Sequence, residues 1–325
     1  MTATFYALGG LVLLIFGAEF MIRGAVSIAR QAGISPHVIG LTVIAFGTSA
    51  PELFVSMKAA LYGSPGIAIG NVIGSNIANI LLMIGTVGVI CPFICTGRSL
   101  RRDCFVLFAA TLVFIALAGN GMIEFWHGAV MLFCLAAYLT YCYYDDRRVG
   151  QEAGLHAQEA DEFETVEGTK TKAWAHTVCG LVAVISGAWF LVNGAIEIAE
   201  AMGVSETVIG ITMVAIGTSM PELATTLVAA IRRHNDVALG NIIGSNIFNT
   251  LGILGTVSMA KPLTIPPEVL LSDLWVMAAI TGIFVIAVVT LRRLSRPLAM
   301  SFFVIYACYI YSQFYPLKAI LLAAG

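Results

Sequence analysis

Charge is scarce in this 325-residue chain: 11% of its residues are Asp, Glu, Lys or Arg, against 59% hydrophobic. So little charge cannot cover the surface of a water-soluble domain of this size. With a strongly positive mean hydropathy, the composition is that of an all-α polytopic membrane protein, with the lipid bilayer as its surroundings. The net charge is −2 and no basic stripe exists to hold a phosphate backbone, so nucleic acid is not an expected partner. Histidine is rare too: His37, His127, His156, His176 and His234 sit near span ends or in a polar linker, and none is given a role. The seven cysteines are odd in number and scattered through apolar runs, the pattern of buried thiols. Cys91 and Cys95 lack the second pair that a zinc site needs, and no cofactor is expected. The first apolar run, Phe5 to Phe16, has neither a basic n-region nor a small-residue cleavage site, and reads as a first span.

Apolar windows are what the chain has most of. Those long enough to cross a bilayer (about 20 residues) fall near 5–29, 38–61, 66–90, 104–120 and 123–143, then near 174–199, 208–230, 237–258, 269–291 and 298–322. The expectation is ten transmembrane helices, five in 1–144 and five in 174–325, joined by an acidic linker over 145–173. That linker carries eight acids and four basic residues, as a solvated cytoplasmic segment does, and its acids lack an EF-hand pattern. Basic residues set the orientation. With the N-terminus outside, thirteen of the seventeen, from Arg30 to Arg296, fall on the cytoplasmic side, and Lys58, Lys261 and Lys318 fall outside. Both termini are therefore expected to face out, in a cytoplasmic (inner) membrane.

One polar stretch interrupts the apolar runs, and it occurs twice. Gly47-Thr48-Ser49-Ala50-Pro51-Glu52-Leu53 returns 170 positions later as Gly217-Thr218-Ser219-Met220-Pro221-Glu222-Leu223. A second block follows each copy at one fixed distance: Gly70 to Asn79, and Gly240 to Asn249, identical at eight of ten positions. Gly17, Phe20, Gly24, Gly33, Ser35 and Gly40 keep the same offset. Equivalent spans are five apart, an odd number, so the halves are expected to lie upside down relative to each other, as two inverted five-helix repeats with a site at their interface.

The residue types suit a hard cation. Pro51 lacks an amide hydrogen, so the Gly47 carbonyl loses its helical partner, and in lipid that oxygen must find another. Glu52 lies one turn after Thr48 and projects from the same face, with Ser49 beside it; Thr218, Ser219 and Glu222 repeat the set. Gly70 and Gly74, like Gly240 and Gly244, form Gly-x-x-x-Gly faces for close helix approach. Ser75 and Asn79 are one turn apart and can face one neighbour, while Asn71 and Asn76 can staple broken helices. Two carboxylates with hydroxyl, amide and carbonyl oxygens, and no thiolate or imidazole, select calcium or sodium over zinc or copper. A single Pro-kinked span of this kind is readily structural, and a buried Glu readily pairs with a basic residue. Spans three and eight hold no basic residue, and the duplication argues for a site. Glu19, Arg23, Asn193, Glu197 and Glu200 fit either an access path or snorkelling at helix ends.

The paired motifs, present twice across nearly the whole chain, resemble those of the sodium/calcium exchangers of the calcium/cation antiporter superfamily, in their short prokaryotic form. The resemblance implies that spans two, three, seven and eight form the site while spans one and six slide across them. It implies that Glu52 and Glu222 coordinate calcium and are shared with sodium, with Thr48 and Thr218 adding backbone oxygens. Ala45, Thr48, Ser49 and Ser75 would form one outlying sodium site, and Ala215, Thr218, Ser219 and Ser245 its counterpart; Asn79 and Asn249 hold the central position. Several members carry aspartate where this chain has Asn249, which leaves two ionisable groups and argues against potassium dependence. The expected function is calcium/sodium antiport by alternating access, with both ions as transported partners; a monomer can suffice for it, and the sequence leaves the oligomeric state open. Calcium/proton antiport through the same glutamates is the alternative, and a passive cation channel is a further class. An intramembrane enzyme is disfavoured, because no His or Lys lies in the core to activate a nucleophile.

Overall fold

The computed structural model describes residues 2–95, 97–153, 169–202, 215–267 and 269–314. Two long helices, α1 (Thr2–Ala32) and α9 (Lys170–Ala201), lie against each other in opposite directions. Glycines spaced by two helical turns bring them together: Gly10, Gly17 and Gly24 on one, Gly180, Gly187 and Gly194 on the other. A methyl group at Gly187 would stand 2.7 Å from the Leu14 nitrogen, and one at Gly24 2.5 Å from the Thr177 nitrogen. Only bare backbone allows so close an approach, which is how helices associate in lipid.

The second span is broken where Pro51 predicts a break. It begins with α2 (Pro36–Ile39), continues through a π-helical stretch (Gly40–Ile44) and α3 (Ala45–Thr48), and resumes as α4 (Ala50–Leu61) after a 43° bend. Ser49 sits in the bend at φ −83°, ψ 4°. The later copy repeats this: α10 (Ala215–Thr218), Ser219 at φ −87°, ψ 3°, then α11 (Met220–Ile231). The proline stands in the first turn of α4 and of α11, where its missing N–H costs nothing.

Span three is α5 (Pro65–Ala78), a π-helical stretch (Asn79–Met83) and α6 (Ile84–Ile90). Span eight is α12 (Asn235–Ile247), a π-helical stretch (Phe248–Ile253) and α13 (Leu254–Ala260). These two spans are the centre of the protein: 94% of the apolar window of span eight and 72% of that of span three are buried, against 33% for α1 and 28% for α9. Around them stand α7 (Arg98–Ala118), α8 (Phe125–Ala153), α14 (Leu274–Leu291) and α15 (Arg296–Phe314). Phe5, Phe16, Phe133 and Trp189 on the outer helices are exposed, as side chains facing lipid are.

Among the described residues six helices are long and apolar enough to cross a membrane, or seven with the bent pair counted as one span. The all-helical expectation has one small exception. β1 (Phe93–Ile94) pairs antiparallel with β4 (Arg293–Leu294), and β2 (Met122–Ile123) with β3 (Leu263–Thr264). Each pair satisfies amides of two short interspan loops. The Cys95 amide donates to the Arg292 carbonyl at 2.8 Å and the Ile265 amide to the Gly121 carbonyl at 2.9 Å. The expected linker lies largely outside the described residues, and its ends are helical: α8 runs on to Ala153 and α9 starts at Lys170.

Candidate cation site

The two bends meet at the centre. Glu52 opens α4 and Glu222 opens α11; each is 1% exposed. Each glutamate takes its hydrogen bond from the serine in the other bend. Ser49 Oγ donates to Glu222 Oε1 at 2.9 Å, and Ser219 Oγ to Glu52 Oε1 at 3.5 Å. The second oxygen of each carboxylate is buried with no hydrogen-bond partner among the described residues, and the same holds for both amide atoms of Asn79 and of Asn249 and for Ser245 Oγ. No Lys or Arg pairs with either glutamate there. A buried polar atom without a partner costs about 1–3 kcal/mol, and a charged one more. Two buried carboxylates with one oxygen each left without a partner, and further unpartnered polar atoms on spans three and eight, make this region the candidate site for a cation.

Most of the sequence-derived residues are buried. Thr48, Ser49, Ala45, Ser219, Asn79, Asn249, Ser75 and Ser245 are buried on the broken spans and on spans three and eight, and Thr218 is partly exposed. Ala215 opens α10. Among the described residues no group of three or more His, Cys, Asp or Glu is placed to hold a metal. The buried polar groups beside the two carboxylates are hydroxyl and amide side chains, a donor set of the kind hard cations take.

Asparagines hold the broken helices. Asn71 Nδ2 donates to the Glu52 carbonyl at 3.3 Å and to Ser56 Oγ at 3.0 Å. Asn241 Nδ2 donates to the Glu222 carbonyl at 3.4 Å, Thr225 Oγ1 at 3.1 Å and Thr226 Oγ1 at 2.9 Å. Asn71 is thus a staple, as the sequence suggests. Asn76 ties span three to span eight, donating to Thr250 Oγ1 at 2.8 Å.

The two Gly-x-x-x-Gly faces behave differently from each other. Gly240 and Gly244 press on the backbone of His37 and Leu41, so close packing is correct there. At Gly70 and Gly74 nothing among the described residues lies within 4 Å of an added methyl. They border a cavity of about 250 Å³ shared with Asp273, Tyr306 and Tyr309.

Sequence reasoning missed a second polar cluster at the Arg-rich ends of spans two, four, five and eight. There His37 meets Asp103, Arg102 meets Asp103 and Asp145, and Ser35 meets Asp146. Asp145 and Asp146 are correspondingly not free linker acids. The available signal was Asp103, an acid following three arginines at the mouth of an apolar run. Of the residues read as path or snorkel, Glu19, midway along α1, forms ion pairs at 2.7 Å with Arg23 and 2.9 Å with Arg232.

The profile of the family described as "Sodium/calcium exchanger protein" matches residues 2–144 and 172–315. The chain belongs to the sodium/calcium exchanger family. Its relatives include the putative antiporter CaxA of Alkalimonas amylolytica, 38% identical over 91% of this chain and 92% of that one. The sodium/calcium exchanger MaX1 of Methanosarcina acetivorans is 31% identical over 94% and 97%. Among solved structures, one of the sodium-calcium exchanger NCX_Mj, soaked with Na+ and Ca2+, superposes with a TM-score of 0.82 at 30% identity, covering 96% of this chain and 98% of that one. The all-helical membrane fold is therefore that of the exchanger family, whose members are transporters carrying calcium and sodium as substrates.

Proposed function

We propose that this protein exchanges calcium for sodium across the cytoplasmic membrane by alternating access, with Glu52 and Glu222 shared by the competing ions. The observation that carries the reading is the crossed Ser–Glu pair: two buried carboxylates, each held through one oxygen by the opposite bend, with the other oxygen unpartnered. Ten spans in two inverted repeats are the architecture this implies. Several contacts support it. The opposite run of α1 and α9 fits a repeat turned upside down, because spans one and six then cross the membrane in opposite senses. Span two and span eight cross in the same sense, and His37 and Leu41 accordingly meet Gly240 while Leu41 and Ala45 meet Gly244. The loop strands exchange likewise: β1 shifted by 170 residues is β3, and β2 shifted so overlaps β4.

Coupling follows from charge. Glu52 and Glu222 carry at most −2. One calcium neutralises them, and sodium ions at the carboxylates and the flanking Ala45, Ser75, Ala215 and Ser245 positions do so in a different arrangement. Moving an uncompensated pair of charges through the occluded state costs several kcal/mol, so the site switches faces when loaded. Asn79 and Asn249 add neutral oxygens without adding charge. The thirteen basic residues on one face make that face cytoplasmic, with both termini outside.

Radiocalcium uptake into proteoliposomes tests the proposal. Vesicles loaded with sodium, with a proton ionophore present, are expected to take up calcium, and vesicles loaded with choline are not. Uptake that ignores sodium and follows an imposed pH gradient would transfer the protein to proton coupling. Uptake under every loading would make it a channel.

A further inference from the structure

Four helix ends meet in a buried charged knot outside the cation site. His37, 6% exposed, lies at the start of span two, and Asp103, fully buried, near the start of span four. His37 Nε2 is 2.8 Å from Asp103 Oδ2, and Nδ1 is 3.1 Å from the backbone oxygen of Asp236, at the start of span eight. Arg102 donates through Nε to Asp103 Oδ1 at 2.6 Å and through Nη1 to Asp145 Oδ2, on span five, at 2.6 Å. Cys142 Sγ donates to Asp103 Oδ1 at 3.9 Å. Next to His37, the Ser35 amide and hydroxyl both donate to Asp146, at 2.6 and 2.9 Å.

Hydrogen-bond accounting assigns the charge. A backbone carbonyl only accepts, and a carboxylate held ionised by a guanidinium only accepts. A neutral imidazole has one donor and one acceptor. With both ring nitrogens facing acceptors, His37 is the imidazolium. Its surroundings balance it: Asp103 and Arg102 on α7, Asp236 on α12, Asp145, Asp146, Tyr138 and Cys142 on α8, and Arg30 exposed at the end of α1.

We propose that protonated His37 is a positioning residue for calcium, clamping the start of span two to spans four and eight and so holding the cation site in register. Span two runs from His37 through the soft π-helical stretch to Ala45 and Thr48, and span eight runs from Asp236 to Asn249. Losing the proton turns one lone pair onto an acceptor and frees one of the two ties. The sequence does not repeat the clamp's His and Arg in the second half. At the 170-residue offset Asp103 recurs as Asp273, but Thr207 stands for His37 and Ser272 for Arg102. Alkaline pH is therefore felt from the Arg-rich, cytoplasmic side. The inference rests on reading Glu52 and Glu222 as calcium ligands.

Calcium binding by the purified protein, measured from pH 7 to about 10, tests the clamp. Wild type is expected to lose about tenfold in affinity as His37 becomes neutral, the scale of one buried charged hydrogen bond. Site carboxylates alone would bind calcium no worse as pH rises, so the sign is diagnostic. H37Q is expected to bind weakly already at pH 7, with a flat profile. In oriented proteoliposomes the wild-type KM for calcium should rise with alkaline pH on the cytoplasmic side and not on the outer side, a readout that needs no variant. Equal or tighter wild-type binding at high pH, an unchanged profile in H37Q, or equal sensitivity from both faces would overturn the clamp alone. Absence of calcium binding at every pH would overturn the site reading and the clamp together.

Discussion

Gly9 and Gly10 are neighbours on one helix with opposite surroundings, and that contrast turns the α1–α9 packing into a number. Nothing described lies within 4 Å of a methyl added at Gly9, whereas one at Gly10 would overlap the Leu191 backbone and stand 2.7 Å from the Gly187 carbonyl oxygen. Ordinary contact begins at 3.4 Å, so Gly10→Ala forces the two backbones apart by several tenths of an ångström. Overpacking of this kind costs about 1–3 kcal/mol, and the glycine crossings at Gly17 and Gly24 loosen with it. Gly9→Ala keeps every contact and gains up to about 1 kcal/mol of helix propensity. Gly10→Ala gains the same propensity, so thermal unfolding in detergent should separate the variants by the overpacking cost, about 1–3 kcal/mol, with Gly10→Ala below wild type and Gly9→Ala at or above it. Under the proposed alternating access, in which the paired helices slide past the site, exchange should slow in Gly10→Ala alone. Equal stability of the two variants would refute the glycine-to-glycine contact.

Three further outcomes are expected. Glu52→Gln and Glu222→Gln should each abolish exchange yet unfold no more easily than wild type without calcium, since each replaces a buried ionisable group that has no basic partner among the described residues. The thermal shift that calcium gives wild type, about 2.7 kcal/mol at a hundredfold excess over Kd, should vanish in both. Ser49→Ala should weaken calcium binding more than Ser219→Ala, because its bond to Glu222 is 2.9 Å and its counterpart's 3.5 Å; equilibrium binding compares them. Finally, external potassium should leave the exchange rate unchanged, because Asn249 brings no third carboxylate, and stimulation by potassium would contradict that.

The bends were legible in the sequence because their cause is local. Pro51 and Pro221 announce them, and two nearly identical polar blocks in apolar runs single out the same stretches. The crossing of Ser49 onto Glu222 was not legible, since it depends on how two distant bends face each other. Neither were the π-helical turns at Asn79 and Phe248, which no residue type encodes. The repeat at Gly17 and Gly24 was visible in the pattern, but that these glycines press on the α9 backbone at Val184 and Thr177 is a property of packing. His37 was passed over because one histidine at a span end has no periodicity; its partners Asp103 and Asp236 lie 66 and 199 residues away. Asp145 and Asp146 read as solvated linker by composition, and the continuation of α8 turns them into partners of Arg102 and Ser35.

The shared use of two glutamates by two ions is tested most directly by equilibrium competition. Calcium binding to the purified protein is titrated calorimetrically at increasing sodium, with choline holding ionic strength constant. The account predicts that calcium affinity falls steadily as sodium rises, and that Glu52→Gln and Glu222→Gln bind neither ion competitively. Calcium affinity indifferent to sodium, or calcium binding retained in both variants, would contradict it.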